Sequence, residues 1–243
     1  MRADRLLVAR GLAESRTRAQ ALIEAGYVRS GTRAIIKPSE LLVDDAPLEV
    51  TGTDHPYVSR GGVKLAFALD HFGIAVEGLV ILDLGASTGG FTEVLLQRGA
   101  RRVYAVDVGH GQFHPRLAKD ERVVSLEGVD ARALDAKLIA EPPQLITADL
   151  SFIGLAKALP AALKLAVPGA TLIALVKPQF EVGRAGVGKG GIVRDAAART
   201  QALDEVRAWL AEAGWTPLGS MESPITGGDG NVEFLLAARR ETS

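Results

Sequence analysis

The chain predicts an α/β fold, a mostly parallel, doubly wound sheet of seven strands preceded by a small α+β module. Three observations carry this. From Val80 onward, apolar runs of four to seven residues alternate with helical patterns, the signature of strand–helix–strand units. The first of these strands runs into a glycine-rich turn, Asp83-Leu84-Gly85-Ala86-Ser87-Thr88-Gly89-Gly90-Phe91-Thr92. The first fifty residues differ in character: between Arg2 and Lys37, eight basic residues face three acidic ones, while the whole chain has a net charge of -1.

In the N-terminal module, Leu6, Leu7 and Val8 belong to a first helix that stops near Gly11. Ser15 caps a second, whose apolar face is Ala19, Leu22 and Ile23 and whose stop is Gly26. Tyr27-Val28-Arg29, Leu41-Leu42-Val43 and Leu48-Glu49-Val50 read as short strands. Residues 1–52 form this module, 53–60 a linker, and 61–243 the large domain. In the large domain the predicted strands are 80–84, 102–106, 123–126, 145–148, 171–176, 215–221 and 232–238. Helices are expected over 89–98, 155–165 and 195–213.

Composition removes several function classes. The chain has no cysteine, which excludes disulfides, thiolate metal sites and cysteine nucleophiles. Four scattered histidines argue against a metal cluster. No apolar run approaches the roughly 20 residues of a membrane helix, and no secretory signal opens the chain. A soluble, cytoplasmic protein that does not engage membranes is expected. The basic N-terminal stretch suits a phosphate backbone, although a solvated helix face would carry the same charge.

In an open parallel sheet, ligands bind beyond the carboxyl ends of the strands. Asp83, Asp107, Asp149 and Lys177 occupy four of those ends. Asp107 follows Gly85 by 22 residues, where a carboxylate suits ribose hydroxyls. NAD and S-adenosylmethionine both carry such a ribose. Dinucleotide folds place a second glycine two residues after the first, for close approach to pyrophosphate; here that position is Ser87. The turn resembles instead the first motif of class I (Rossmann-like) methyltransferases. That likeness implies S-adenosylmethionine held by Asp83, Gly85, Ala86, Ser87, Gly89, Gly90, Phe91, Asp107, Val108 and Asp149, with Asp130 near adenine.

Two further resemblances complete the reading. Arg5-Leu6-Leu7, Ser15-Arg16-Thr17-Arg18-Ala19, Leu22-Ile23, Gly26 and Val28 resemble the S4 RNA-binding domain, which implies that Arg5, Arg16 and Arg18 meet structured RNA. Lys64 in Ser-Arg-Gly-Gly-x-Lys-Leu, Asp149 in Ala-Asp-Leu-Ser-Phe-Ile, Lys177 in Val-Lys-Pro-Gln-Phe-Glu and Glu233 in Gly-Asn-x-Glu match the Lys-Asp-Lys-Glu tetrad of FtsJ-type ribose 2′-O-methyltransferases. All these blocks together resemble the TlyA family, also labelled hemolysin A, whose substrates are cytidines of ribosomal RNA. Lys177 is the expected general base, with Asp149 orienting it or the acceptor hydroxyl and Glu233 holding Lys64; which of the two lysines is the neutral one stays open at this point. The short N-terminal arm favours 23S over 16S rRNA. Arg60, Arg184 and Lys189 are further candidates for RNA phosphates, the last two in a glycine-rich loop, 183–191, that lacks the Gly-Lys-Ser/Thr of a P-loop. A non-catalytic RNA-binding protein and a pore-forming hemolysin are the rival readings. An intact tetrad opposes the first; the lack of a membrane-length segment opposes the second.

Overall fold

The structure is a computed structural model that describes residues 1–13, 15–24, 26–51, 55–183, 186–227 and 230–242. It divides into two compact units, Met1–Ser59 and Arg60–Ser243.

In the first unit, helices α1 (Ala3–Ala9) and α2 (Arg16–Glu24) pack on a small antiparallel sheet of β1 (Val28–Ser30), β2 (Arg33–Ala34) and β3 (Leu48–Val50), ordered β2-β1-β3. Leu6, Leu7, Ala19, Leu22, Ile23, Val28 and Ile35 are its buried core, the apolar set expected of the two helices plus strand residues. Ser15 Oγ accepts from Arg18 N at 3.1 Å, the expected cap of α2. The expected strand over Leu41–Val43 does not form; only a single bridge, Arg2 to Leu41, is present. Leu42 N instead donates to Met1 O, and the N-terminal ammonium donates back to Leu42 O at 2.6 Å. The backbone of that segment is taken up in tethering the start of the chain. Sheet pairing goes to Arg33–Ala34, which no apolar pattern marks.

Asp4 is the polar centre of this unit. It is fully buried, yet accepts hydrogen bonds from Arg2, Arg16 and Gln20 side chains and from Arg5 N. The Arg2 guanidinium, foremost, holds its carboxyl far below the usual range.

In the second unit the sheet order is β6-β5-β4-β7-β8-β10-β9. Strands β4 (Val80–Leu84), β5 (Arg102–Asp107), β6 (Val123–Glu127), β7 (Leu145–Ala148) and β8 (Thr171–Val176) pair in parallel. β10 (Phe234–Arg240) runs antiparallel to both β8 and β9 (Trp215–Glu222). Every residue of β4 and β8 is buried, which is why these strands read as continuous apolar runs rather than alternating ones.

The large unit differs from expectation in several places. A helix α3 (Gly61–Phe72), unmarked in the sequence reading, begins with two glycines and ends at Gly73 in the left-handed region. Between α4 (Gly90–Gln97) and β7 the helical segments are α5 (Pro115–Ala118) and a 3₁₀ turn, Ala131–Ala133. The helix expected over 155–165 is broken into α6 (Leu155–Ala158) and α7 (Pro160–Leu165), because Pro160 has no N–H to continue the first and suits the opening turn of the second. The last strand begins at Phe234, two residues later than expected. α8 (Pro178–Glu181) and α9 (Ala196–Glu212) complete the unit.

Gly85 follows β4 with φ 77°, and a Cβ there would overlap the carbonyl oxygen of Asp149. Substituting Gly85→Ala must therefore separate the ends of β4 and β7. A loss of more than about 2 kcal/mol of unfolding free energy is expected, measured by denaturant titration; an unchanged midpoint contradicts this packing.

Candidate active site

A cleft of about 1370 Å³ opens beyond the carboxyl ends of the parallel strands. At one end its wall is the turn after β4 and the ends of β5 and β6: Gly85, Ser87, Asp107, Val108, Asp130 and Arg132. At the other end, residues following β7 and β8 line it: Asp149, Ser151, Phe152, Gln179 and Phe180.

The turn is shaped by backbone demands. Ser87 has φ 48°, an uncommon value for a residue with a side chain. Its N–H donates to Asp107 Oδ2 at 2.8 Å, and Gly109 N donates to Asp107 Oδ1 at 2.7 Å. These bonds orient the Asp107 carboxylate, and each oxygen keeps a second lone pair for a ligand. Gly89 has φ 98°, and Phe113 and Leu117 fill the space where its side chain would stand. Asp130 caps the 3₁₀ turn through Arg132 N at 2.9 Å and binds the Arg132 guanidinium at 2.6 Å. That arginine pulls its pKa down to about 2.

The structure sorts the residues expected to hold a cofactor. Gly85, Ser87, Asp107, Val108, Asp130 and Asp149 line the cleft. Ala86, Gly89, Gly90 and Phe91 are buried in the packing of the turn and α4 and do not line it. Asp83 is corrected from contact to support. It is fully buried, Thr92 Oγ1 donates to its Oδ2 at 2.6 Å, and Thr147 Oγ1 donates to its Oδ1 at 2.8 Å. Asp83 thus ties α4 and β7 to β4. Burial, opposed by the threonine bonds and aided by the nearby Asp149 charge, raises its pKa to about 6.

Two ion pairs lie behind the other end of the cleft, and of their four residues Asp149 lines it while Lys64, Lys177 and Glu233 do not. Lys177 Nζ lies 2.7 Å from Asp149 Oδ1 and donates to Ser151 Oγ at 2.9 Å. Asp149 Oδ1 makes no aligned hydrogen bond, so its contact with Lys177 is one of charge and distance. Lys64, on the first turn of α3, pairs with Glu233 just before β10, and both are buried. The β8–β10 register joins the pairs. Phe234 stands opposite Val176, and one further step along that register sets Glu233 opposite Lys177. Four residues spread across a separation of 169 positions in sequence thereby meet at one end of the sheet.

Sequence reasoning missed Ser151, Phe152 and Gln179. Phe152 is 91% exposed, has φ 65°, and its ring lies 5.3 Å from that of Phe180. A phenylalanine beside a strand reads as core; its outward turn rests on a backbone angle that no residue pattern announces.

Of the residues expected to meet RNA, Arg5 is exposed, Arg16 Nε donates to Asp4 at 2.8 Å and Arg18 Nη1 lies 2.7 Å from the His55 ring. Arg60 occupies the N-cap of α3 and Lys189 is exposed; Arg184 lies outside the described residues. The glycine-rich loop touches the cleft through Gly183 and Val187. Its far end is held by the buried Asn231, which donates to Gly191 O at 2.9 Å and accepts from Val193 N at 3.0 Å.

Comparison with known proteins bears on this geometry. Residues 57–240 match the model of the FtsJ-like methyltransferases. The 16S/23S rRNA (cytidine-2′-O)-methyltransferase TlyA of Mycobacterium tuberculosis is 48% identical over 242 residues, 99% of this chain and 90% of the relative. Hemolysin A of Brachyspira hyodysenteriae is 40% identical over 236 residues, 97% of this chain and 98% of the relative. A solved structure of a Streptococcus thermophilus protein named as a hemolysin superposes with TM-score 0.81 and 41% identity, covering 100% of this chain and 89% of that one. Among the described residues no helix is long and apolar enough to cross a membrane.

The state of Asp83 is testable. Its folded pKa lies above the unfolded value of about 3.9, so the folded protein holds the extra proton between about pH 4 and 6. The stability this confers is complete below that window and lost as pH rises through 6. An asparagine at this position has no such proton to lose. Relative to wild type, Asp83→Asn should therefore gain about 2–3 kcal/mol of stability as pH rises from 4 to 7. Thermal unfolding of both proteins across that range checks it; a pH-independent difference contradicts a proton on Asp83.

Proposed function

The chain belongs to the FtsJ-like methyltransferase family, and from that premise we propose that it methylates the 2′-hydroxyl of a cytidine ribose in ribosomal RNA, using S-adenosylmethionine. The observation that carries this reading is Lys177, held by Asp149 and Ser151, which line the end of the cleft opposite Asp107. The relatives' acceptor, an rRNA cytidine, supplies the substrate class.

The residues fit the methyl donor. Asp107, oriented by two backbone N–H groups, suits a ribose diol; Val108 and Asp130 flank the place for adenine; the turn from Gly85 to Ser87 presents backbone rather than a phosphate-binding lysine. When bound, S-adenosylmethionine supplies an electrophilic methyl group. The chain must do the rest: hold the acceptor hydroxyl in line and remove its proton. Positioning is the larger share, worth roughly 7–11 kcal/mol where geometry is well set. Lys177 in its amine form accepts the hydroxyl proton at Nζ as the oxygen gains the methyl group, and later yields that proton to solvent. Asp149 and Ser151 aim Nζ. Lys64 is held by Glu233, whereas Lys177 contacts two residues that line the cleft, Asp149 and Ser151, and that difference favours a positioning role for Lys64 over a proton-accepting one.

Residues 1–52 act in this reading as an S4-type RNA-binding module, with 53–60 the linker and 61–243 the catalytic domain. Support comes from the charge excess of the module and from Asp4, which holds the Arg16 guanidinium at a half-exposed position. Lys189 and Arg184 add charge in the glycine loop. Ribosomal RNA, free or within a subunit, is the partner, and the cytoplasm the place of action. Phe152 offers an exposed ring on which a base can stack.

Lys177→Ala should reduce methyl transfer by at least about 10²-fold while S-adenosylmethionine binding, read by calorimetry, stays within about twofold. Wild-type turnover by this variant would end the assignment. Phe152→Ala should raise KM for RNA more than it lowers kcat; an unchanged KM contradicts stacking. Loss of a cytidine 2′-O-methyl group from ribosomal RNA on deletion of this chain tests the substrate itself.

A further inference from the structure

Gln179 is a polar residue of the cleft that the methyl-transfer chemistry does not use. It is the second residue of α8, two positions after Lys177 and one before Phe180. It lines the cleft, and its Oε1 is buried with no hydrogen-bond partner among the described residues. Buried amide oxygens are almost always partnered, so an orphan facing a ligand site asks for a donor from the ligand.

Strand order says which ligand. The cofactor end of the cleft is built from β4, β5 and β6, on one side of the sheet; Gln179 follows β8, beyond β7 on the other. In sequence it stands between the proposed base, Lys177, and Phe180 of the Phe152–Phe180 aromatic pair, and it lines the same end of the cleft as both rings. A nucleoside whose ribose hydroxyl reaches Lys177 and whose base lies on Phe152 brings its polar edge to the residue between them. The root of the side chain is firm. Pro178 opens α8, Phe180 N donates to Lys177 O at 2.9 Å, and Glu181 Oε1 accepts from Leu155 N at 2.9 Å, pinning α8 to α6.

We propose that Gln179 determines base specificity, its amide oxygen accepting from the 4-amino group of cytosine. The proposal rests on the methyl-transfer reading above. Cytosine presents an N–H₂ donor at that position; uracil presents a carbonyl oxygen, which would face Oε1 acceptor to acceptor. Loss of one such contact costs roughly tenfold or more in discrimination.

The test uses the full-length protein and ribosomal RNA from a strain lacking it, after the methylated cytidine has been mapped. Matched RNAs carry cytidine or uridine at that position. Wild type should prefer cytidine. Gln179→Leu should lower that preference roughly tenfold or more. Gln179→Glu, which keeps the acceptor and removes the amide donor, should hold the preference within about threefold. S-adenosylmethionine affinity and Tm of both variants should match wild type. An unchanged cytidine-to-uridine ratio in Gln179→Leu overturns the proposal. So does an equal loss in Gln179→Glu, which would mean that the amide nitrogen makes the contact. Weakened S-adenosylmethionine binding at an unchanged base ratio would move Gln179 to the cofactor end and also overturn it. If wild type methylates neither RNA, the methyl-transfer reading itself falls, and this assignment with it.

Discussion

The carbonyl of Asp149 packs against Gly85 so closely that no side chain fits between them. This contact joins the ends of β4 and β7, and both ends of the cleft depend on it. Ser87, two residues after Gly85, ties the turn to Asp107 through one backbone hydrogen bond. Asp149 carries the carboxylate that faces Lys177. A shift of either strand end would move Asp107 and Lys177 relative to each other. Beneath the contact, Asp83 reaches Thr92 on one side and Thr147 on the other, so the same strand end is clamped from within.

The buried charges follow the same logic. An ion pair taken out of water gains little net stability, because desolvation offsets attraction. Yet Lys64–Glu233 and Lys177–Asp149 both lie at the end of β8, where they hold two lysine side-chain nitrogens in set positions. Their value lies in geometry. Asp4 serves similarly in the N-terminal unit, fixing the Arg2 and Arg16 guanidinium groups that would otherwise sample many rotamers.

Much of the architecture was legible because burial writes itself into composition. The strands buried on both faces appear as unbroken apolar runs, and charged residues at their ends stand out against them. Features held by backbone geometry were not legible. The Arg33–Ala34 strand exists because β1 needs a partner, and the Leu41–Val43 run fails because its backbone bonds to the N-terminus. Helix α3 opens on two glycines, which argue against a helix locally. The outward Phe152 rests on φ 65°.

The candidate site divides along the same line. Residue type and spacing pointed to the glycine turn and the carboxylate 22 residues beyond it, and resemblance to the FtsJ type pointed to the four blocks of the tetrad. Chemistry of that kind needs particular side chains, and particular side chains are what a sequence records. Which of them meet was decided by the tertiary structure. The β8–β10 register sets Glu233 opposite Lys177, burial withdraws Asp83 from the cleft, and the turn after β8 presents Gln179 to it. Register and burial arise from contacts between residues far apart in the chain, and local pattern cannot encode them.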